Sequence, residues 1–306
     1  MKTNLIIGTR QSLLALWQSN HIAALLRAQY PDCTVTLKKI VTKGDRILDV
    51  PLAQIGGKGL FTKEIETELL DGTIDLAVHS LKDMPTVLPD GLCLTAITER
   101  ANVGDAFVSN KYNSFAELPQ GAVLGTSSLR RKAQLLAARP DLKIVDLRGN
   151  VDTRLRKLDE GQMDAVILAA AGLERLGHHD RIKEVIPADV CLPAVGQGAL
   201  AIECRTDNDE VRQMLEFLNH VPTKQATDAE RAFLGLIEGG CQVPIGVHAD
   251  IANGSAHVEA IIASLDGSTV LRNTIAGPAE DAAKLGRQLG EKMLNEGGRE
   301  ILSAIL

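Results

Sequence analysis

A seven-residue pattern occurs twice in this chain, and a second pattern follows each copy in the same order. Ile7-Gly8-Thr9-Arg10-Gln11-Ser12-Leu13 is echoed by Leu124-Gly125-Thr126-Ser127-Ser128-Leu129-Arg130, and each reads as a strand ending in Gly-Thr with a helix behind it. Gly72-Thr73-Ile74-Asp75-Leu76-Ala77-Val78 is likewise echoed by Gly161-Gln162-Met163-Asp164-Ala165-Val166-Ile167. Two local patterns repeated in one order predict two similar units with a cleft between them. Around the echoes, β-rich runs such as LIIGT, TVTLKKIV and IDLAVHS alternate with amphipathic runs such as RQSLLALWQSNHIAALLRAQ and LFTKEIETELLDG. That alternation specifies βαβ units and a parallel or mixed sheet, the α/β class.

The texture changes near Val221. A helical run, TKQATDAERAFLGLIEGG, precedes VHADIANG, AHVEAIIASLDG and STVLRNTIAG, whose NG and DG turns predict a small antiparallel sheet. A closing helix is expected from Pro278 to the glycines at 297 and 298. With 306 residues and 45% hydrophobic content, the chain is long enough for two or three cores.

A formal charge of −6 and 3% aromatic content argue against a nucleic-acid surface, which needs a basic stripe or stacking rings. The apolar run Leu5 to Ile7 is too short for a signal peptide, and Ala165 to Leu173 is too short to span a bilayer. We therefore expect a soluble cytoplasmic protein with a small-molecule substrate. Cys33, Cys93, Cys191, Cys204 and Cys241 form an odd set without a CxxC pair, so no disulfide framework or zinc site is expected. Most of them read as small buried hydrophobes. Cys241 stands apart, because EGGCQVPIG sets it behind two glycines and three residues before a proline.

Arginines gather where strands are expected to end. Arg10 follows LIIGT, Arg130 and Arg131 follow VLGTSSL, Arg148 follows KIVDL, and Arg154 comes one helical turn beyond Gly149-Asn150. Ligands of open α/β sheets bind at those edges, and guanidinium forks suit carboxylates or phosphates. Thr126-Ser127-Ser128 adds hydroxyls and backbone N–H groups at a helix start. Each arginine also reads as a solvated helix-face charge paired with a nearby acid. Asp83, beside Lys82 after a buried strand, reads equally as a catalytic carboxylate or as a turn former before Met84-Pro85. GGKGLFTKE fails as a phosphate loop, since Gly59 stands where Ser or Thr is required, and its glycines mark a flexible loop instead.

Seven ordered segments resemble the porphobilinogen deaminase family: GTRQSLLALWQ, GGKGLFTKE, DLAVHSLKDMP, GTSSLRRKAQL, LRGNVDTRL, LPAVGQGALAIECR and EGGCQVPIG. The resemblance implies two similar periplasmic-binding-protein-like α/β domains flanking a cleft, plus a small α+β C-terminal domain with an antiparallel sheet. Domain 1 would comprise 1–98 and 199–217, domain 2 99–198 and domain 3 218–306. It implies a transferase that condenses four porphobilinogen molecules head to tail, releasing ammonia, and hydrolyses off a linear tetrapyrrole. Cys241 would carry a covalent dipyrromethane cofactor through a thioether. Asp83 would stabilise positive charge on the substrate, and Lys82, Asp83, Thr126, Ser128, Arg130 and Arg131 would hold the cofactor. Arg10, Ser12, Arg148, Arg154 and Arg175 would bind substrate, and Gly56, Gly57, Lys58, Gly59 and Phe61 would form a mobile loop. No metal, nucleic acid, membrane or second subunit is implied.

Two rival readings share parts of this pattern. A twin-domain anion-binding receptor has the cleft without chemistry. A thiol-nucleophile hydrolase needs a His–Asn or His–Asp partner set that no motif supplies.

Overall fold

The computed structural model describes residues 2–46, 59–237 and 243–305. The chain divides into two compact units. One holds the described residues up to Arg100 together with Ala199–Lys224, and the other holds Ala101–Gly198 and the described residues from Gln225 onward.

The first unit opens with β1 (Asn4–Thr9), α1 (Leu13–Gln29), β2 (Thr34–Lys39) and α2 (Lys43–Arg46). It continues with α3 (Lys63–Leu70), β3 (Leu76–Ser80), a 3₁₀ turn at Leu81–Asp83 and β4 (Leu92–Ile97). α1 starts where it does because the Ser12 hydroxyl accepts from the Ala15 N–H, satisfying a donor the helix would otherwise orphan.

The second unit then builds β5 (Asp105–Val108), β6 (Val123–Gly125), α4 (Leu129–Ala138) and β7 (Lys143–Val145). α5 (Val151–Asp159), β8 (Ala165–Ala169), α6 (Ala170–Arg175) and β9 (Glu184–Ile186) follow. The chain returns to the first unit with β10 (Leu200–Arg205) and α7 (Asp209–Leu215).

Both sheets are five-stranded and share one plan. The first has the order β2-β1-β3-β10-β4 and the second β7-β6-β8-β5-β9. In each, the first three strands are parallel, the fourth runs antiparallel to them, and the fifth pairs antiparallel with the fourth and so runs with the first three. The sequence echoes fall on equivalent strands: the first on β1 and β6, the second on β3 and β8. In each sheet the fourth strand is supplied by chain next to the crossover, β10 after the return and β5 after the departure.

The C-terminal part begins with α8 (Val221–Ile237), where Pro222 lies in the first turn that tolerates it, then β11 (Ile245–Ala252), β12 (Ser255–Ala263) and β13 (Val270–Pro278). These strands form the expected three-stranded antiparallel meander. Phe233 of α8 and Val247, Val258 and Ile262 of the sheet bury one core with Leu289 and Met293.

The expected closing helix is corrected at both ends. β13 runs through to Pro278, a 3₁₀ turn intervenes, and α9 covers only Ala282–Met293. The glycines do not stop the chain from turning helical again, since Gly297 at φ 113° kinks it and α10 (Arg299–Ser303) follows.

Candidate functional site

The carboxyl ends of β1 and β3 meet between α1 and α3 and leave a pocket of about 60 Å³. Arg10, Ser12, Gln18, Phe61, His79, Ser80 and Asp83 line it. Arg10 follows β1 directly, and its Nε lies 3.1 and 3.2 Å from the two oxygens of Asp45, with Nη2 bonded to the same carboxylate. Its guanidinium also lies 4.2 Å from the centre of the Phe61 ring, a cation–π contact. Burial pushes the Asp45 carboxyl up, but hydrogen bonds from Arg10 and Thr42 outweigh that and hold it below the usual carboxylate range. The fork of Arg10 is thus held ready by a carboxylate, the chemical group it is expected to bind.

Asp83 ends the 3₁₀ turn behind β3, closed by the Met84 N–H donating to the Leu81 carbonyl at 3.0 Å. A turn-forming aspartate accepts from the N–H two residues on. That residue is Pro85, which has none. Among the described residues no hydrogen bond to the Asp83 carboxylate occurs, and the side chain is exposed at the pocket. Gln18 donates to the Ser80 hydroxyl at 2.8 Å, fixing α1 to the strand end from which Asp83 hangs.

The second unit arranges its charges differently. Behind β6 the Thr126 hydroxyl accepts from the Ser128 N–H at 3.2 Å, and Ser128 caps α4 by accepting from the Arg131 N–H at 3.4 Å. Arg130 and Arg131 are not solvated helix-face charges, because each is only 5% exposed. Arg130 donates to Asp105 at 2.6 and 3.3 Å and to the Leu192 carbonyl at 2.8 Å. Arg131 donates to Asp105 at 2.9 and 2.7 Å and to the Ile167 carbonyl at 3.0 Å. Burial pushes the Asp105 carboxyl up, yet the two guanidiniums overcome it and hold the group far below the usual range. Two cations on one anion leave a net positive charge beside the N-terminus of α4, where backbone N–H groups already favour anions.

Arg148 and Arg154 flank Gly149, whose φ of 112° only glycine adopts freely. A Cβ there would also stand 2.6 Å from a Thr153 side-chain carbon. Arg154 turns back to donate to the Gly149 carbonyl at 2.8 Å. Arg175, at the end of α6, donates to the Gly198 carbonyl at 2.7 Å, and burial lowers its pKa. Cys241 and the loop glycines Gly56 and Gly57 with Lys58 lie outside the described residues. Gly59 and Phe61 are described, at the start of the turn leading into α3.

Asp105, Asp45, Glu203 and Glu66 were missed by the sequence reading. Asp105 in DAFV and Glu203 in LAIECR did carry a signal, since an acid inside an apolar strand requires a buried partner. Among the described residues no group of three or more His, Cys, Asp or Glu is placed to hold a metal ion, and no helix is long and apolar enough to cross a membrane.

Comparison with known proteins gives a consistent result. Residues 5–213 match the family model described as porphobilinogen deaminase, dipyromethane cofactor binding domain, and residues 224–295 match the model of the porphobilinogen deaminase C-terminal domain. Porphobilinogen deaminase of Geobacter sulfurreducens is 56% identical over 299 residues, 98% of this chain and 94% of that one. The Geotalea daltonii protein of the same name is 55% identical over the same shares. Among solved structures, the methionine binding protein MetQ aligns at 18% identity and a TM-score of 0.46, over 78% of this chain and 96% of that one.

Proposed function

The chain belongs to the porphobilinogen deaminase family, with its dipyrromethane cofactor and its place in tetrapyrrole biosynthesis, and from that premise we propose how its own residues perform the deaminase activity. The reading rests on one observation: Arg10 and Asp83, from separate strand ends, line a single pocket. In the proposed reaction four porphobilinogen units are joined head to tail with loss of ammonia, and the linear hydroxymethylbilane is released by water.

Every pyrrole of substrate and cofactor carries an acetate and a propionate, so the protein must bind many carboxylates. The donor set behind β6 fits them, because the Arg130–Arg131–Asp105 triad keeps a positive charge uncompensated next to Thr126 and Ser128. In this reading those four residues and Lys82 hold the cofactor, attached to Cys241 as a thioether. When bound, the dipyrromethane supplies the pyrrole carbon to which the first substrate unit is joined. Arg10 presents its fork to a substrate carboxylate, which takes the place of Asp45, while Ser12, Arg148, Arg154 and Arg175 contribute further binding. Asp83, with its carboxylate uncommitted to the turn, faces the positive charge that develops on the pyrrole as the amine leaves. A fixed negative charge there lowers the barrier without reorganising.

The three-domain division at 99, 199 and 218, a monomeric state and a cytoplasmic location complete the reading. The test is the intact mass of purified protein together with ammonia release from porphobilinogen. A two-pyrrole adduct is expected on the wild type and none on Cys241→Ala, which should also be inactive. An unmodified wild-type mass in protein that still makes hydroxymethylbilane sinks the assignment of Cys241.

A further inference from the structure

Beneath the pocket the first unit buries three ionisable side chains together. His79, one of the lining residues, is 6% exposed, and its Nε2 lies 2.9 Å from Oε2 of Glu203, which is fully buried. The pair is diagonal across the antiparallel junction of β3 and β10, where Ala201 stands opposite His79 and Glu203 opposite Ala77. Glu66, on the buried side of α3, lies close enough that its charge is felt by both. Oε1 of Glu66 and Oε1 of Glu203 are each buried without a hydrogen-bond partner.

Such an arrangement is costly unless it holds a proton. Burial pushes the Glu66 carboxyl above its usual range, and the neighbouring Glu203 adds to the effect. A proton on Glu66 turns one of two orphaned acceptors into a donor. With Glu66 neutral, Glu203 is left to pair with the imidazole.

We propose that His79 holds the proton that each addition moves through this pocket, with Glu203 orienting its ring and stabilising the imidazolium that forms, and Glu66 keeping the cluster's charge balanced. This rests on the deaminase reading. Each addition breaks the bond between the aminomethyl carbon and nitrogen, and the amine leaves with the electron pair. A carbon–carbon bond forms, and the receiving pyrrole carbon gives up its proton. One proton therefore travels from carbon to nitrogen, and no oxidant or reductant is needed. Glu203 engages Nε2, which leaves Nδ1 to take the proton and return it. The charged groups around the imidazole are Glu203 from β10, Glu66 from α3, and Arg10 and Asp83 at the ends of β1 and β3, and Glu64 acts on Glu66 from the same helix.

The experiment follows ammonia release by adduct-bearing enzyme across pH. His79→Ala should lose on the order of 100-fold in kcat, the usual scale of general acid–base catalysis, with KM nearly constant and part of the rate restored by added imidazole. Glu203→Gln keeps the shape but not the charge, so it should lower kcat and displace a limb of the pH–rate profile. Glu66→Gln replaces a carboxyl whose proton affinity burial already raises and which makes no direct contact with the imidazole, so it should displace the limb less. Absence of imidazole rescue in folded His79→Ala overturns the proposal. Should that variant not fold, a Glu203→Gln profile superimposable on the wild type does the same. Active wild type beside such unaffected variants sinks only the role of His79, whereas wild type that releases no ammonia from porphobilinogen sinks the deaminase reading itself.

Discussion

Arg131 donates from both Nε and Nη2 to a single oxygen of Asp105, at 2.9 and 2.7 Å, while Arg130 engages the other oxygen at 2.6 Å. A fully buried aspartate thereby holds two sequence-adjacent cations on the face of α4 that follows the Thr126–Ser128 donors. Removing the anion leaves two buried guanidiniums with no other carboxylate partner among the described residues.

Asp105→Asn is therefore expected to destabilise the protein by about 3–5 kcal/mol, the range for breaking a buried ion pair. The pH dependence has a definite sign. The Asp105 carboxyl is held far below its usual range in the fold, whereas in the unfolded chain it titrates near ~3.9. The unfolded state takes up the proton first, so the stabilisation is complete above about pH 4 and is lost progressively below it. Denaturant titrations at stepped acid pH should show this loss in the wild type and a shallower one in Asp105→Asn.

Asp83→Asn should fold normally and keep the Cys241 adduct, because the side chain makes no turn bond for the amide to replace. Turnover should fall at least roughly 100-fold, equivalent to about 2.7 kcal/mol of lost transition-state stabilisation. Near-wild-type kcat in the variant would return Asp83 to a merely local role.

Arg10→Lys keeps the charge but loses the fork that Asp45 now occupies and the planar face on Phe61. We expect the adduct to remain and KM for porphobilinogen to rise on the order of tenfold, the effect of about 1.4 kcal/mol of binding. By contrast, Arg131→Leu should lose both stability and adduct, because the same guanidinium serves Asp105 and the proposed cofactor site. Unchanged steady-state constants in Arg10→Lys, or a full adduct in Arg131→Leu, would contradict this division.

Gly149→Ala places a side chain at a φ of 112° and a Cβ 2.6 Å from Thr153. Strain of about 1–3 kcal/mol is expected, read as a lower Tm. Because Arg148 precedes this residue and Arg154 bonds its carbonyl, substrate KM should rise as well. A variant with wild-type Tm would show that the turn relaxes around the methyl group.

Local chemistry determined much of this protein within the sequence. The Gly-Thr strand ends of the two echoes, the Ser12 and Ser128 caps and the NG and DG turns of the last sheet each depend on neighbours a few residues away, so their structural consequences are legible in order. The seven ordered segments carried the family for the same reason, since each is a short contiguous run that is read without knowing the fold. Tertiary structure alone decided the partners. Asp105 meets Arg131 across 26 residues, Arg10 meets Asp45 across 35 and His79 meets Glu203 across 124. The last pair forms only when the chain leaves the first sheet after β4, builds the second and returns as β10 beside β3, bringing Glu203 to His79. A charge pattern states which residues need a partner, and only the packing that removes water from around them fixes which partner each one finds.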